Sequence, residues 1–194
     1  MEREIYATDG EITLCRIAEE DKENYLKLRD QVCELSPQYR SSDEIAWKLV
    51  YEYTKGNYSV FDSNGEYCGN VCFHNPGAET PEIGIELLEH KRNMGIGPRA
   101  VKLLAQTYYA NKPVEHFVLR VRRKNTHSRC MIEKLGCVYV GVEENDFKER
   151  IERIEKNLGK KLSDDFKEAF LSPPDEGEEI LIYKYYPEAF LDKQ

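Results

Sequence analysis

Apolar and polar residues alternate in several short segments of the chain, which is the pattern of half-buried β-strands. The first such segment is Glu11–Ile17. Two more, Tyr58–Phe61 and Tyr67–Phe73, flank the sequence Asp62-Ser63-Asn64-Gly65, and an Asn-Gly pair in that setting predicts a β-hairpin. Further strands are predicted at Glu82–Leu88, His116–Val121, Cys137–Val142 and Ile180–Tyr186.

Elsewhere the apolar residues recur roughly every three or four positions, which predicts amphipathic helices. One helix follows Asp21, and the capping-box sequence Ser41-Ser42-Asp43-Glu44 begins a second. A third begins near Gly97. A short fourth helix, over about Thr126–Leu135, ends at Gly136, a residue type that suits a helix C-cap.

The order of these elements defines the expected fold. It is β-α-α-β-β-β-α-β-α-β, followed by a helical insertion and a last strand. We therefore predict an α/β (α+β) fold in a single domain over residues 1–194, with a helical insertion at 143–179. Its sheet would be mixed, mostly antiparallel and twisted, with about seven strands flanked by helices.

Residues 143–179 differ from the rest of the chain in pattern and charge. Asn145 can cap a helix with an apolar face, and Ser163 can begin a shorter helix that ends at Pro173-Pro174. The span holds 13 acidic and 7 basic residues, so most of the chain's net charge of −8 lies in it.

The acidic composition disfavours two classes of partner. A net charge of −8 and a pI of about 5.2 argue against nucleic-acid binding, which needs a basic surface, and against docking on anionic membranes. No apolar run reaches the roughly 18 residues of a membrane-spanning helix. The charged segment Met1–Ile5 lacks the apolar stretch of a secretory signal, so we expect a cytoplasmic protein.

The six cysteines show no metal-binding pattern. None of them forms a CxxC pair or a Cys/His cluster with zinc-ligand spacing. We therefore expect free, mostly buried thiols and no metal site. The cysteines are Cys15, Cys33, Cys68, Cys72, Cys130 and Cys137.

The segment Arg92-Asn93-Met94-Gly95-Ile96-Gly97, called the 92–97 loop below, lies between a predicted strand and a predicted helix. A helix N-terminus attracts anions through its unpaired amides and its dipole, and glycines let the backbone approach a phosphate closely. Pro98 suits the first helical turn, and Arg92 and Arg99 can add charge-assisted contacts. Neither GxGxxG nor GK[ST] is present, so the loop alone predicts an anion site or a plain tight turn.

A second motif follows the strand that ends at Val121. Together the two motifs resemble those of the GNAT superfamily of N-acetyltransferases, which combines [RQ]xxGx[GA] with Asn-xx-[Ser/Ala]…Lys-Leu-Gly-Phe. The matching residues are Arg92, Gly95 and Gly97 in the first motif and Asn125, Ser128, Lys134, Leu135 and Gly136 in the second. Cys137 replaces the Phe. The resemblance covers roughly residues 11–142 and the last strand, and it is nearest to the ribosomal-protein N-terminal acetyltransferase branch.

This resemblance implies an acetyl-coenzyme A site and no metal. The strands over Glu82–Leu88 and His116–Val121 would separate at their ends, and the exposed strand backbone would hydrogen-bond the pantetheine arm. The amides of the 92–97 loop would bind the pyrophosphate. Asn125 would contact the pantetheine, unless it acts only as a helix cap. The implied contacts are Ile85, Glu86, Leu87, Arg92, Asn93, Met94, Gly95, Ile96, Gly97, Arg99, Asn125 and Ser128.

The implied reaction is direct attack of a primary amine on the thioester. A terminal α-amine with a pKa of about 8 is roughly one-tenth neutral at pH 7, whereas a lysine-like amine near 10.4 is almost fully protonated. A general base therefore matters more for the second kind of acceptor. Glu82 is the candidate base, because many relatives carry a Glu at this place; a solvated charge at the strand edge is the alternative. Glu86 shares its strand face.

One family feature is missing. Many relatives carry a Tyr general acid seven residues after the motif Asn, where this chain has Ile132. Cys130, Tyr139 or water could protonate the leaving thiolate instead. The missing Tyr keeps a second function open, that of an acetyl-coenzyme A-binding sensor or accessory protein without catalysis.

The resemblance does not identify the acceptor, which we expect to be a small cationic amine or a peptide N-terminus. The acidic insertion at 143–179 could form a wall or lid that attracts a polyamine, an aminoglycoside or a basic peptide N-terminus. It could equally be an amphipathic cover or the contact of a homodimer.

Overall fold

The structure, a computed structural model, describes residues 3–35, 42–53, 56–143, 161 and 179–191. The predicted helices of the 143–179 insertion lie outside these residues, so the insertion and its role stay predictions. The fold class is confirmed, because antiparallel strands form sheets of five and three strands flanked by helices.

The strands form two antiparallel groups. The five-stranded sheet has the order β1-β2-β3-β4-β5, and the three-stranded sheet has the order β6-β8-β7. Their bounds are β1 Ile5–Thr8, β2 Ile12–Arg16, β3 Asn57–Asp62, β4 Tyr67–Phe73, β5 Ile83–Leu87, β6 Phe117–Arg122, β7 Val138–Val142 and β8 Ile180–Tyr185.

Two helices have caps that the sequence predicts, whereas the short last helix was not predicted. Ser42 Oγ accepts a hydrogen bond from Ile45 N at 3.4 Å at the start of α2, and Gly136 after α4 has a φ of 80°. A π-helical turn over Leu49–Tyr53 extends α2. The bounds are α1 Lys22–Leu35, α2 Asp43–Lys48, α3 Ile96–Asn111, α4 Thr126–Lys134 and α5 Pro187–Phe190.

Strand β1 was not predicted, because it has only four residues and follows a charged N-terminus. It pairs with β2 through a turn at Asp9-Gly10, in which Asp9 Oδ1 accepts hydrogen bonds from the amides of Glu11 and Ile12. The Asp-Gly pair is a hairpin signal of the same kind as the Asn-Gly pair between β3 and β4. The described chain therefore has eight strands rather than about seven.

The two faces of the five-stranded sheet bury different groups. On one face, Val101 and Leu104 of α3 belong to the large core cluster that also contains Val71 of β4. On the other face, Leu28 of α1 packs in a smaller cluster with Tyr67. The remaining members of the smaller cluster are Cys15, Phe61 and Leu88.

One backbone bridge joins the described parts of the two sheets. Glu82 and Val118 form an isolated parallel bridge, and Val118 N donates a hydrogen bond to Pro81 O at 3.0 Å. No further ladder pair between β5 and β6 occurs in the described part of the chain. The two strands therefore start side by side and leave the following edge of β5 unpaired, which is the separation that the resemblance implied.

Candidate functional site

The unpaired edge of β5 carries Ile85, Glu86 and Leu87. On its other side β5 pairs with β4 along its whole length, and Gly69 lies opposite Leu87. A Cβ at Gly69 would overlap the carbonyl oxygen of Glu86 and lie 2.8 Å from Leu87 Cα. Only glycine therefore allows β4 to approach this part of β5 so closely.

The 92–97 loop connects β5 to α3 and contains two left-handed residues. Asn93 has a φ of 61° and Gly95 a φ of 78°. Arg92 is half-buried, and its Nε donates a hydrogen bond to Leu87 O at 3.0 Å, so the loop is tied back to the end of β5. Met94 is 63% exposed. The predicted loop lies directly beside the open strand edge.

The helix N-terminus at the end of this loop has room above it. Gly95 is the N-cap of α3, and no heavy atom lies within 4 Å of the position that a Cβ would take there. Pro98 occupies the first turn and has no N–H to satisfy. Ile96, by contrast, is buried in the core. The first amides of α3 thus face an open surface at which an anion could bind.

Arg99 points in a different direction. Its Nε lies 3.3 Å from Asp9 Oδ2 and its Nη1 lies 3.7 Å from Glu11 Oε2, so it contacts the β1–β2 turn. The predicted role of Arg99 toward the pyrophosphate stays a prediction.

A buried lysine that the sequence did not single out holds the start of the loop. Lys91 Nζ lies 2.8 Å from Oδ2 of Asp62, the last residue of β3, and 2.5 Å from Oε2 of Glu66, in the turn that follows. On the other side, Gln31 Oε1 of α1 accepts a hydrogen bond from Glu89 N at 3.0 Å. Little in the sequence indicated this role of Lys91, because a lysine in a charged loop is normally exposed.

The second motif begins α4. Asn125 is the N-cap, and its Oδ1 accepts a hydrogen bond from the amide of Ser128 at 3.1 Å. The capping role is therefore present, and a contact with pantetheine stays a prediction. Further along α4, Met131 Sδ lies 3.0 Å from the position of a Cβ at Gly97. This close approach brings the two sequence motifs together in space.

Glu82 lies where β5 and β6 are still joined. Its carboxylate forms an ion pair with Arg120 Nη1, and Arg120 Nε lies 3.4 Å from Glu143 Oε1. The backbone N of Glu82 donates to Asn75 Oδ1 at 2.8 Å. The candidate base is thus positioned at the strand start, and one of its oxygens is engaged by a guanidinium.

Glu86 lies on the opposite sheet face from Ile85 and Leu87, which pack against the core that contains α3. Its side chain is open to solvent, but the surrounding protein displaces enough water to raise the pKa of the carboxyl, an effect that His74 partly opposes. Both observations fit a carboxylate that is accessible to solvent but partly surrounded by protein. Burial also raises the pKa of the neighbouring Cys72 thiol to about 12.

Two polar side chains near Glu86 were not predicted. Asn70, which is 6% exposed, pairs with Glu86 across β4 and β5, and its Nδ2 has no hydrogen-bond partner among the described residues. The hydroxyl of Tyr67, a residue that is 8% exposed, also has none. An amide within the otherwise apolar segment of β4 was the sequence signal that could have identified Asn70.

The candidates for the general acid have contrasting environments. Ile132 is buried in the core, so the position of the family's Tyr offers no proton donor. Cys130 is an exposed free thiol, and Tyr139 is 51% exposed.

Among the described residues, no group of His, Cys, Asp and Glu could hold a metal ion. Nor does any helix in the described ranges have the length and apolar run needed to cross a membrane.

The comparisons with known structures show the same architecture. An acetyltransferase of the GNAT family from Bacillus anthracis is 17% identical, with a TM-score of 0.68 over 95% of this chain and 98% of its own. The ribosomal L7/L12 α-N-protein acetyltransferase in complex with coenzyme A is 17% identical, with a TM-score of 0.68 over 96% of this chain and 99% of its own.

A third structure holds acetyl-coenzyme A. The microcin C7 self-immunity acetyltransferase in complex with acetyl-CoA and AMP is 17% identical, with a TM-score of 0.63 over 96% of this chain and 97% of its own. A search of curated protein sequences gave no significant match.

The family model described as acetyltransferase (GNAT) domain matches residues 11–138. This range runs from the start of β2 to the start of β7 and includes both sequence motifs. Because the match spans more than half of the chain, the protein belongs to the GNAT family of acetyltransferases, a family of acyltransferases.

Proposed function

We propose that the protein is an acetyl-coenzyme A-dependent N-acetyltransferase whose acceptor is a primary amine, either a small cationic amine or a peptide N-terminus. The observation that carries the proposal is the unpaired edge of β5 beside the N-terminus of α3. An extended amide-containing arm can pair with a free strand edge, and a pyrophosphate suits a helix N-terminus.

The residues present fit acetyl-coenzyme A. Gly95 leaves the space above the helix N-terminus open, and the left-handed Asn93 and Gly95 turn the 92–97 loop around it. In this proposal the backbone of Ile85–Leu87 holds the pantetheine and the amides of the 92–97 loop hold the pyrophosphate. Asn125 contacts the pantetheine arm, and Ser128 lies toward the nucleotide end of the cofactor.

Acetyl-coenzyme A supplies an activated acetyl group as a thioester. The protein's task is to orient the amine, to exclude competing water and to remove a proton from the ammonium. Glu82 is the base proposed from the sequence. Its ion pair with Arg120 fixes the position of its carboxylate.

The known relatives support two kinds of acceptor. The L7/L12 α-N-protein acetyltransferase acts, by its name, on a protein N-terminus. The structure of the microcin C7 self-immunity acetyltransferase is a complex with acetyl-CoA and AMP, so a second kind of ligand is bound by a protein of this fold.

Release of free thiol tests the proposal directly. Purified protein is mixed with acetyl-coenzyme A and a panel of peptides with free N-termini, polyamines, aminoglycosides and alkylamines, and mass spectrometry identifies the acetylated product. We expect amine-dependent thiol release with at least one class. Calorimetric titration with coenzyme A provides a binding measurement that does not depend on turnover.

A second function would follow from a specific combination of results. If coenzyme A binds but no amine in the panel releases thiol, the protein is better described as an acetyl-coenzyme A-binding sensor or accessory protein. The buried Ile132 at the position of the family's Tyr is the observation that favours this alternative.

A further inference from the structure

The face of the sheet next to α1 combines one unpaired carboxylate with two unpaired hydrogen-bond donors. Among the described residues, the carboxylate of Glu86 makes no hydrogen bond and no ion pair, whereas the carboxylate of Glu82 on the same strand face binds Arg120. Glu86 is therefore the carboxylate on this face that remains available to a cationic ligand.

The donors belong to Asn70 and Tyr67. Both side chains are more than nine-tenths buried, and Asn70 Nδ2 and Tyr67 Oη lack partners in the described chain. Asn70 and Glu86 are direct cross-strand neighbours, which places their side chains side by side on one face. The charge of Glu86 also acts on the Tyr67 phenol, whose pKa is raised chiefly by burial.

A buried donor without a hydrogen-bond partner destabilises a fold. The presence of two such donors beside Glu86 therefore points to a ligand that supplies the missing acceptor. A ligand that satisfies this group must offer positively charged N–H donors to Glu86 and an oxygen acceptor to Asn70 or Tyr67. A polyamine offers only donors. A peptide N-terminus offers an ammonium with a carbonyl oxygen two bonds from its Cα, within reach of neighbouring side chains.

We propose that Glu86, Asn70 and Tyr67 form the acceptor pocket, that this pocket selects an α-amine with an adjacent carbonyl group, and that Glu86 accepts the proton of the bound ammonium. This inference rests on the proposed N-acetyltransferase function. It narrows the acceptor to the peptide N-terminus and gives the base role to Glu86 rather than to Glu82.

Acetyl transfer removes two protons from the acceptor nitrogen. The ammonium of the acceptor gives one proton to the Glu86 carboxylate and becomes a neutral amine. Its lone pair forms the new N–C bond to the acetyl carbon while the C–S bond breaks and its electron pair goes to sulfur. The second proton leaves nitrogen and ends on the coenzyme A thiol, and Glu86 returns its proton to solvent.

The first test asks whether Asn70 and Tyr67 select the acceptor or only support the fold. Asn70→Ala removes an unpaired amide, so we expect an unchanged or higher Tm, together with at least a tenfold higher KM for a lysine-free tetrapeptide amide. The KM for butylamine, which has no carbonyl, should change less than twofold. A merely structural Asn70 would lower Tm and affect both amines equally, and that result would overturn the proposal. Tyr67→Phe should show the same pattern with a smaller effect.

The second test compares the two carboxylates. Glu86→Gln should lower kcat for the peptide at least a hundredfold and remove the acidic limb of the pH profile. In the wild type this limb lies above the ordinary range of a glutamate, because desolvation raises the pKa of Glu86. The other titratable groups near Glu86 are Cys72, Tyr67, His74 and Glu82, with Asp21 and Tyr25 acting on Tyr67 from the side of α1, and the exposed Glu79→Gln variant serves as the control.

Glu82→Gln decides between the two bases. If Glu86 is the base, Glu82→Gln keeps the acidic limb. If instead Glu82→Gln removes the limb and Glu86→Gln keeps it, the assignment of the base is wrong and the original prediction for Glu82 is supported.

A binding measurement makes the test independent of turnover. Coenzyme A cannot donate an acetyl group, so calorimetric titration of the peptide into the coenzyme A complex reports acceptor binding alone. We expect Glu86→Gln and Asn70→Ala to weaken peptide binding at least tenfold while coenzyme A affinity stays within twofold. Unchanged peptide binding would overturn the pocket. Failure of the wild type to release thiol with any amine would instead overturn the proposed function.

Discussion

At the scale of single residues, two glycines in the described chain provide a matched pair. Gly95 and Gly65 have φ values of 78° and 77°, and neither has a heavy atom within 4 Å of the position that a Cβ would take. Their surroundings differ: Gly95 caps α3 beside the open edge of β5, and Gly65 lies in the turn between β3 and β4. A side chain should therefore strain the backbone to a similar degree at both positions. Only at Gly95 would it also disturb a ligand bound beside α3.

This pair gives a test of the 92–97 loop. We expect Gly95→Leu and Gly65→Leu to destabilise the fold similarly, each by about 1–2 kcal/mol, because a left-handed backbone disfavours any residue with a Cβ. Only Gly95→Leu should weaken coenzyme A binding, by at least tenfold in Kd. Thermal unfolding and calorimetric titration measure the two effects. Equal coenzyme A affinity in both variants would contradict the placement of the pyrophosphate.

At the scale of secondary-structure elements, Lys91 joins the β3–β4 turn to the start of the 92–97 loop. The stem of Lys91 is covered, while its ammonium reaches Asp62 and the exposed Glu66 at the molecular surface. The hydrogen bond from Lys91 lowers the pKa of the Asp62 carboxyl. The ion pair thus couples the geometry of the β3–β4 hairpin to that of the 92–97 loop.

Lys91→Met should therefore lower the unfolding free energy by about 1–2 kcal/mol, or Tm by roughly 2–8 °C. Because the pKa of Asp62 is lowered in the folded state, its contribution is present above the unfolded pKa of about 3.9 and is lost as pH falls through the folded value. The difference between the variant and the wild type should thus shrink below about pH 4.

The exposed pair Lys27–Glu23, with a 2.8 Å N–O distance, is the control for this prediction. Lys27→Met should change the unfolding free energy much less than Lys91→Met does, because water screens this exposed pair. If Lys91→Met had no larger effect than Lys27→Met at neutral pH, the coupling through Lys91 would be negligible.

At the scale of the whole molecule, the described parts of the two sheets share one backbone bridge, between Glu82 and Val118, beside the packed rings of Phe73 and Phe117. A ligand in the gap beyond this bridge would contact β5, the N-terminus of α3 and α4 at once. Binding to the folded state alone stabilises a protein in proportion to the logarithm of ligand concentration. Coenzyme A bound in this gap should therefore stabilise the folded protein by linking the two sheets.

We expect coenzyme A at 100 times its Kd to raise the unfolding free energy by about 2.7 kcal/mol. Amide hydrogen exchange should slow at Ile85–Leu87, in the 92–97 loop and at the start of α4, but not in the β1–β2 turn. Mass-spectrometric exchange with and without coenzyme A measures this pattern. Slowing confined to a different region would place the ligand elsewhere.

Much of the fold followed from the sequence because its signals are local. The Asn64-Gly65 turn, the Asn125 cap and Gly136 each fix a short segment through backbone preferences that do not depend on distant residues. The two motifs identified the family for the same reason, since each lies on one strand-to-helix connection. Strand β1 was not predicted, because four residues are too few to show a clear alternation of apolar and polar positions.

The tertiary structure decided which side chains meet. Sequence order places Asn70 and Glu86 far apart, and only the antiparallel register of β4 and β5 makes them neighbours. Likewise, only the close start of β5 and β6 brings Arg120 to Glu82. Long-range pairing decides which carboxylate is available to a ligand, and this pairing is not encoded in local sequence. The proposed donor site thus followed from local sequence, whereas the proposed acceptor pocket depends on the packing of strands that are distant in sequence.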